Sequence, residues 1–164
     1  MALISNIGAG IFTTLKFKAD SNYTLPTNDT THQTFISVSG DFNGATEVTN
    51  IREFPSFGKP ANIVNVPQYG QAVSSQIQGQ SDAPTMEFTM NYVPGLHSAI
   101  QALVQDGLTY VFQLDVKNAE TGDNAAFYVK GQIASFEISP NLTDSNQATL
   151  TMSTQGDYVG PFAD

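Results

Sequence analysis

The sequence contains no cysteine, so neither a disulfide framework nor thiolate metal binding is available to it. It also lacks tryptophan, which argues against a sugar-cleaving site built on aromatic stacking platforms. Charged residues make up only 13%, well below the usual quarter, and Ser, Thr, Asn and Gln fill the polar positions. Such a surface suits extensive contact between proteins, and it equally suits an ordinary soluble β domain.

Basic residues are few and scattered. The six Lys and Arg stand at 16, 18, 52, 59, 117 and 130, and the formal net charge is −9. A surface that binds DNA tightly needs clustered cations to displace the counterions of phosphate. The charge therefore argues against nucleic-acid binding and is compatible with repulsion of nucleic acid.

Long hydrophobic runs are missing too, since no segment reaches the roughly 18 apolar residues of a membrane helix. The first ten residues lack a basic start, and Asn6, Gly8 and Gly10 interrupt their apolar run. We therefore expect no membrane association, and we predict that 1–10 forms an N-terminal arm. At 164 residues and 40% hydrophobic content, the chain has room for one domain with a real core, spanning 1–164.

Alternating apolar and polar residues predict a mainly β fold of about eight strands. The clearest strands are 85–92 and 109–116. A long strand over 127–138 changes its apolar parity near Ala134, which predicts a bulge. Other strands are predicted at 11–18, 35–39, 47–53, 63–66, 73–78 and 148–153.

One helix is predicted over 94–106, with Leu96, Ile100, Leu103 and Val104 on its apolar stripe and Gly107 after its end. Residues 20–46 are predicted to form a long loop. The predicted fold is a two-sheet β-sandwich or partial barrel with one flanking α-helix.

The residues that most often carry chemistry form no recognisable site. His32 lies in the predicted loop and His97 on the polar side of the predicted helix, neither with a second metal ligand at a suitable spacing. The start of a calcium loop at Asp41 fails because Arg52 stands where the template needs glutamate. No phosphate-binding glycine loop or nucleophile elbow is present. We expect no catalytic residue, no cofactor, no metal and no enzymatic activity.

Three acidic residues occupy the non-core faces of predicted strands: Glu87, Asp115 and Glu137. They are either ordinary solvated residues of an open sheet or part of a functional acidic surface.

In their order along the chain, several segments resemble the tail tube, or major tail, proteins of bacteriophages with long non-contractile tails. The resemblance covers about residues 45–156 and depends on the order of loose motifs. These are the Phe-Pro-Ser-Phe-Gly corner at 54–58, the segments 62–66 and 76–82, the strand 86–92, the helix with Gly107, the strand 110–114, the segment 129–133 and the closing 151–156.

This resemblance implies a two-sheet β domain that assembles into hexameric rings, in which neighbouring sheets close a barrel around a lumen. The stacked rings form a tube through which DNA passes without specific binding. It also implies partners such as the tape measure and tail terminator proteins, assembly in the host cytoplasm, and a final place in the virion. Under this hypothesis Glu87, Asp115 and Glu137 line the lumen, and Phe54, Pro55, Phe57 and Tyr69 contact other subunits.

Three alternatives remain open at this stage. The first is a tube protein of a contractile tail or of a type VI secretion-like machine. The second is a monomeric ligand- or carbohydrate-binding β-sandwich, whose sign would be exposed aromatic residues on a concave face. The third is a hydrolase that uses paired carboxylates.

Overall fold

The computed structural model describes residues 12–58, 61–117 and 124–163, and ten strands and two helices lie in these ranges. The strands are β1 (Thr14–Ala19), β2 (Thr46–Val48), β3 (Ile51–Glu53), β4 (Ile63–Val66), β5 (Ser75–Gln78), β6 (Thr85–Asn91), β7 (Tyr110–Lys117), β8 (Asn124–Ser139), β9 (Gln147–Thr154) and β10 (Val159–Phe162). The helices are α1 (Asp29–Ile36) and α2 (Pro94–Gln101).

The main sheet rolls into a nearly closed barrel. Its antiparallel strands follow the order β2-β1-β7-β8-β9-β6-β3, and β10 adds to β8. The two end strands, β2 and β3, are consecutive in sequence and are joined by only Thr49 and Asn50, so the two borders of the sheet meet there. Asn50 turns the chain with a φ of 60°, which asparagine tolerates better than most residues. The prediction of a mainly β, partial-barrel fold is confirmed.

Alternating residues of the strands fill the barrel. The buried cluster consists of Leu15, Phe17, Val48, Met86, Phe88, Met90, Ile100, Tyr110, Phe112, Leu114, Val129, Ile133, Ala148, Leu150 and Met152. The cavity inside this cluster has a volume of about 10 Å³, no more than one water molecule needs. The interior is therefore a packed core with no room for a ligand.

A second helix, α1, lies where the sequence predicted only a loop, and the prediction of a short strand over 35–39 is also wrong. The side chain of Asn28 accepts the Thr31 N–H at 2.9 Å, and the Thr31 hydroxyl accepts the Asn28 N–H at 3.1 Å, forming a capping box. α1 packs on the outer face of the sheet, where Phe35 and Tyr128 are buried. His32 is buried there too, which corrects its assignment to a polar loop.

Helix α2 is shorter than predicted and is rotated about its axis. It ends at Gln101, whereas the prediction ran to residue 106. Its buried residues are His97 and Ile100, while Leu96 is 56% exposed. The predicted apolar stripe was therefore wrong at Leu96, and His97 is not on the polar side.

The bulge predicted near Ala134 is confirmed. Strand β9 pairs Met152 with Ile133 but Thr151 with Ser135, so Ala134 is the extra residue. Strand β10 was not predicted. The predicted N-terminal arm 1–10 lies outside the described residues. Within the described part of the chain, no helix is long and apolar enough to span a membrane.

Candidate functional site

A polar surface covers the outside of β6, β9 and the second half of β8. Buried Met86, Phe88 and Met90 point inward from β6, so the alternate residues point outward. The register carries this alternation across to β9 and β8. We define the polar face as the outward-pointing residues of these strands, which are Thr85, Glu87, Thr89, Asn91, Gln147, Thr149, Thr151, Ser153, Ser135, Glu137 and Ser139.

Glu87 and Glu137, two of the three predicted acids, lie on this polar face and are exposed. Glu87 stands opposite Thr151, and Glu137 stands opposite Thr149, so the carboxylates are offset by two residues across β9. The other members are hydroxyl or amide side chains. The polar face therefore carries negative charge and no basic side chain.

The polar face includes a third acidic residue, Glu53, which was not predicted from the sequence. Glu53 in β3 lies opposite Thr89 and is exposed, so it extends the polar face beyond β6. The pairing of β3 with β6 shifts register between Ile51 and Glu53. That shift decides which side Glu53 takes, and no pattern in the sequence indicates it.

Asp115 does not behave as predicted. It is on the outer side of β7, as its parity indicated, but it is only 3% exposed. Its carboxylate lies 3.0 Å from Lys117 Nζ and accepts a hydrogen bond of 2.6 Å from Asn124 Nδ2. Phe42 and Asn43, in the segment after α1, line a cleft together with Asp115. This segment therefore covers this part of the sheet. The prediction of Asp115 as a displayed acid is therefore wrong.

Basic side chains on the opposite side of the barrel are used internally. Lys18 Nζ donates to the carbonyl oxygens of Asp41 and Asn43, at 2.6 and 2.7 Å. Lys130 Nζ lies 2.8 Å from the carboxylate of Asp20. These contacts fix the chain around α1 onto the sheet, so the lysines serve packing and do not form a cationic patch.

Arg52, near the polar face, is also paired. Its Nη1 lies 3.2 Å from the carboxylate of Asp144. The pKa of Asp144 is lowered, first by the N–H of Ser145, which donates to it at 2.7 Å, and then by Arg52. Both side chains are exposed, so the pair adds little stability. The ion pair nevertheless neutralises Arg52, which is the basic residue closest in sequence to Glu53.

Two borders of the three-stranded polar region are open. Strand β7 pairs with residues 124–131 of β8, and within the described chain no strand pairs with residues 132–139 on that side. There the N–H of Gln105 donates to the Ile133 carbonyl at 3.1 Å. On the far side β3 pairs only with Thr89 and Met90, so residues 85–88 of β6 also have no described strand beyond them. Open borders of this kind favour pairing with another chain.

A separate hairpin projects from the barrel. We define the arm as residues 61–80, in which β4 pairs antiparallel with β5. The arm contains no Asp, Glu, Lys, Arg or His, and almost all its residues are exposed. Its exposed large apolar side chains are Ile63, Val64, Tyr69, Val73 and Ile77.

The four predicted subunit contacts fall into two groups. Tyr69 is fully exposed between the two strands of the arm. Phe54 packs edge-on against Phe88, with ring centroids 6.0 Å apart, and Phe57 packs against Phe127 at 5.0 Å. These two rings and Pro55 are half-buried against the barrel. Of the four residues, only Tyr69 has a side chain that is fully exposed in the single chain and so available for contact with another subunit.

The described residues do not form a cluster of metal-binding side chains. They contain no group of three or more His, Asp or Glu side chains that would hold a metal ion. His32 and His97 are both buried and bonded through both ring nitrogens, and each anchors a helix to the barrel.

No family model matches the chain, and no curated protein matches it. Among solved structures, it is similar to a chain in the cryo-EM structure of the anti-feeding prophage (AFP) baseplate, 6-fold symmetrised. The identity is 10%, the match covers 96% of this chain and 97% of that chain, and the TM-score is 0.59. This likeness shows a shared fold. A crystal structure of Hcp protein matches with 12% identity over 90% of this chain and 97% of that one, and its TM-score of 0.40 is too low to carry weight.

Proposed function

We propose that this chain is the tube subunit of a bacteriophage tail of the long, non-contractile kind. In this proposal it forms stacked hexameric rings, and the ring lumen conducts the genome during ejection. The role is structural and not catalytic. The protein resides in the virion after assembly in the host cytoplasm, alongside partners such as the tape measure and tail terminator proteins.

The observation that carries the proposal is the polar face. It presents Glu53, Glu87 and Glu137 among hydroxyl and amide side chains, and it includes no lysine or arginine. Negative charge repels phosphates, and the absence of cations removes the contacts that hold DNA in place. A wall of this chemistry lets DNA slide.

The open borders of β6 and β8 support the assembly step. They flank the same three strands that carry the polar face. If copies pair along these borders, their polar faces join into one continuous acidic surface. Closing a sheet around a ring also removes edges that otherwise promote aggregation. The baseplate structure that shares this fold was symmetrised six-fold, which supports six copies in the ring.

The packed interior argues against a ligand-binding sandwich. The barrel core has a cavity of only about 10 Å³. Large aromatic rings such as Phe88, Phe112 and Tyr128 are buried and do not line a concave surface.

A tube subunit of a contractile tail or of a type VI secretion-like machine is the second candidate. The shared fold with a chain of the AFP baseplate favours it. A gene for a sheath protein beside the gene for this chain would support this second candidate, and its absence would favour the non-contractile tail.

Electron microscopy of the concentrated purified protein tests assembly directly. Hollow tubes or six-fold rings in negative stain are the expected result. A compact monomer that fails to polymerise even on purified tail initiator complexes would contradict the proposal.

Charge reversal tests the conduit. Glu87→Lys with Glu137→Lys should leave tubes intact but lower DNA delivery, because each ring then presents cations to the phosphates. Glu47→Lys is the control, since Glu47 is also exposed but lies in β2, opposite Lys16. Unchanged infectivity of phage carrying the double variant would exclude the polar face as the lumen wall.

A further inference from the structure

A second uncharged surface lies at the end of the barrel near α2. Residues 88–105 contain no Asp, Glu, Lys or Arg. Tyr92, just before α2, packs with its ring tilted against Phe136, with centroids 6.0 Å apart, and its N–H donates to the Asn146 carbonyl at 2.8 Å. These contacts bring the start of α2 against the β8–β9 corner. We define the α2 patch by the four exposed apolar side chains of this region, Val93, Leu96, Ile138 and Leu142.

The arm and the α2 patch hold nine of the large apolar side chains that the described chain exposes, and Val38 and Leu108 are the others. The side chains of the arm and the four side chains of the α2 patch are uncharged, and Asp144, two residues after Leu142, is paired with Arg52. The chain as a whole carries a formal charge of −9, so two copies repel each other. Contact between copies costs least where uncharged apolar surfaces meet.

We propose that the arm of one copy docks on the α2 patch of the next copy. This inference rests on the proposed function, because it names a second contact between tube subunits beside the pairing of the open borders. An arm that paired with a second arm would form a closed dimer and leave both α2 patches exposed to water. An arm that covers a patch buries both surfaces and leaves one of each free for further copies. Such a contact between unlike surfaces generates rings or filaments.

Three exposed-site variants test the contact in solution. The arm variant is Ile77→Asp, the patch variant is Leu96→Asp, and the control is Leu108→Asp; the three native side chains are 55%, 56% and 55% exposed. The arm and patch variants should each weaken self-association about tenfold or more, since a carboxylate would enter an apolar contact. The control should associate like the native chain in sedimentation velocity, and circular dichroism should show all three folded.

Mixing the two defective variants gives the sharper result. The patch variant keeps an intact arm, and the arm variant keeps an intact patch. An equimolar mixture should therefore form dimers and stop there, at protein concentrations at which neither variant associates alone. Native-like assembly of the patch variant by itself would overturn the inference, and so would a mixture that stays monomeric while the native chain associates.

Cross-linking tests the same contact if the native chain associates weakly. Because the chain has no cysteine, Ile77→Cys and Leu96→Cys introduce the only thiols. Oxidation of their mixture should yield about tenfold more heterodimer than a mixture of Ile77→Cys and Leu108→Cys. If the mixed cysteine variants form tubes but oxidation gives no excess of this heterodimer, the docking contact is overturned and the tube function still stands. Cross-linked copies that never form tubes on an initiator would support the contact and contradict the tube function.

Discussion

His97 Nε2 donates a hydrogen bond of 3.0 Å to the carbonyl oxygen of Thr49. Thr49 belongs to the two-residue link between β2 and β3, where the borders of the barrel meet. The Nδ1 atom of the same ring accepts the N–H of Val93 at 3.1 Å. The buried imidazole therefore joins the start of α2 to the seam of the barrel.

Replacing this ring should loosen the seam. We expect His97→Ala to lower the free energy of unfolding by about 3 kcal/mol, through a cavity and two unsatisfied backbone groups. Chemical denaturation followed by circular dichroism measures this loss. Leu96→Ala on the same helix is the control and should change stability little, because Leu96 is exposed. Equal losses for the two variants would show that His97 does not hold the seam.

Much of the strand pattern could be predicted from alternation alone. Met86, Phe88 and Met90 are buried at every second residue, and the parity change at Ala134 corresponds to a real bulge. Both features depend on local periodicity, which the sequence displays directly.

The outer layer of the fold could not be predicted in this way. Helix α1 has a Thr-rich sequence with weak helix preference, and it is stabilised by distant contacts such as His32 Nδ1 with the Ala163 carbonyl at 2.9 Å. Without α1 and the chain that follows it, nothing indicates that Asp115 is covered. The burial of His97 could not be predicted either. The spacing 97, 100, 104 suits a buried helical stripe as well as the predicted stripe does.

Asp115 and Glu87 should respond differently to removal of the carboxylate. Asp115→Ala leaves the buried Asn124 amide without that acceptor and Lys117 without its partner, so we expect a loss of about 2 kcal/mol in unfolding free energy. Glu87→Ala should change it by less than about 0.5 kcal/mol, because Glu87 is exposed. Urea denaturation of both variants makes the comparison. A neutral Asp115→Ala would mean that the buried pair does not contribute to stability.

The raised pKa of Tyr110 predicts that the free energy of unfolding falls at alkaline pH. Burial, and then a hydrogen bond of 2.5 Å from its hydroxyl to Asp106, raise the pKa of Tyr110 from 10.0 to about 12. The folded state thus holds the phenol proton more tightly than the unfolded state. The resulting stabilisation is complete below pH 10 and is lost as the pH rises towards about 12.

Comparison with Tyr110→Phe isolates this contribution, since other groups also titrate in that range. The difference in unfolding free energy between the native chain and the variant should shrink between pH 10.0 and about 12 when measured by urea denaturation. A difference that stays constant across this range would show that the phenol proton is not held more tightly in the folded chain.

Salt should promote self-association of this protein. Copies with a formal charge of −9 repel one another, whereas the arm and the α2 patch carry no net charge. Raising the ionic strength from about 0.01 to 0.15 M shortens the Debye length from about 30 to 8 Å and so screens the repulsion without weakening the apolar contact. We expect the lowest protein concentration that supports assembly to fall as sodium chloride is added, as light scattering would record. If assembly instead weakened with salt, ion pairs would have to carry the contact, and the assignment of the uncharged arm as the joining element would be wrong.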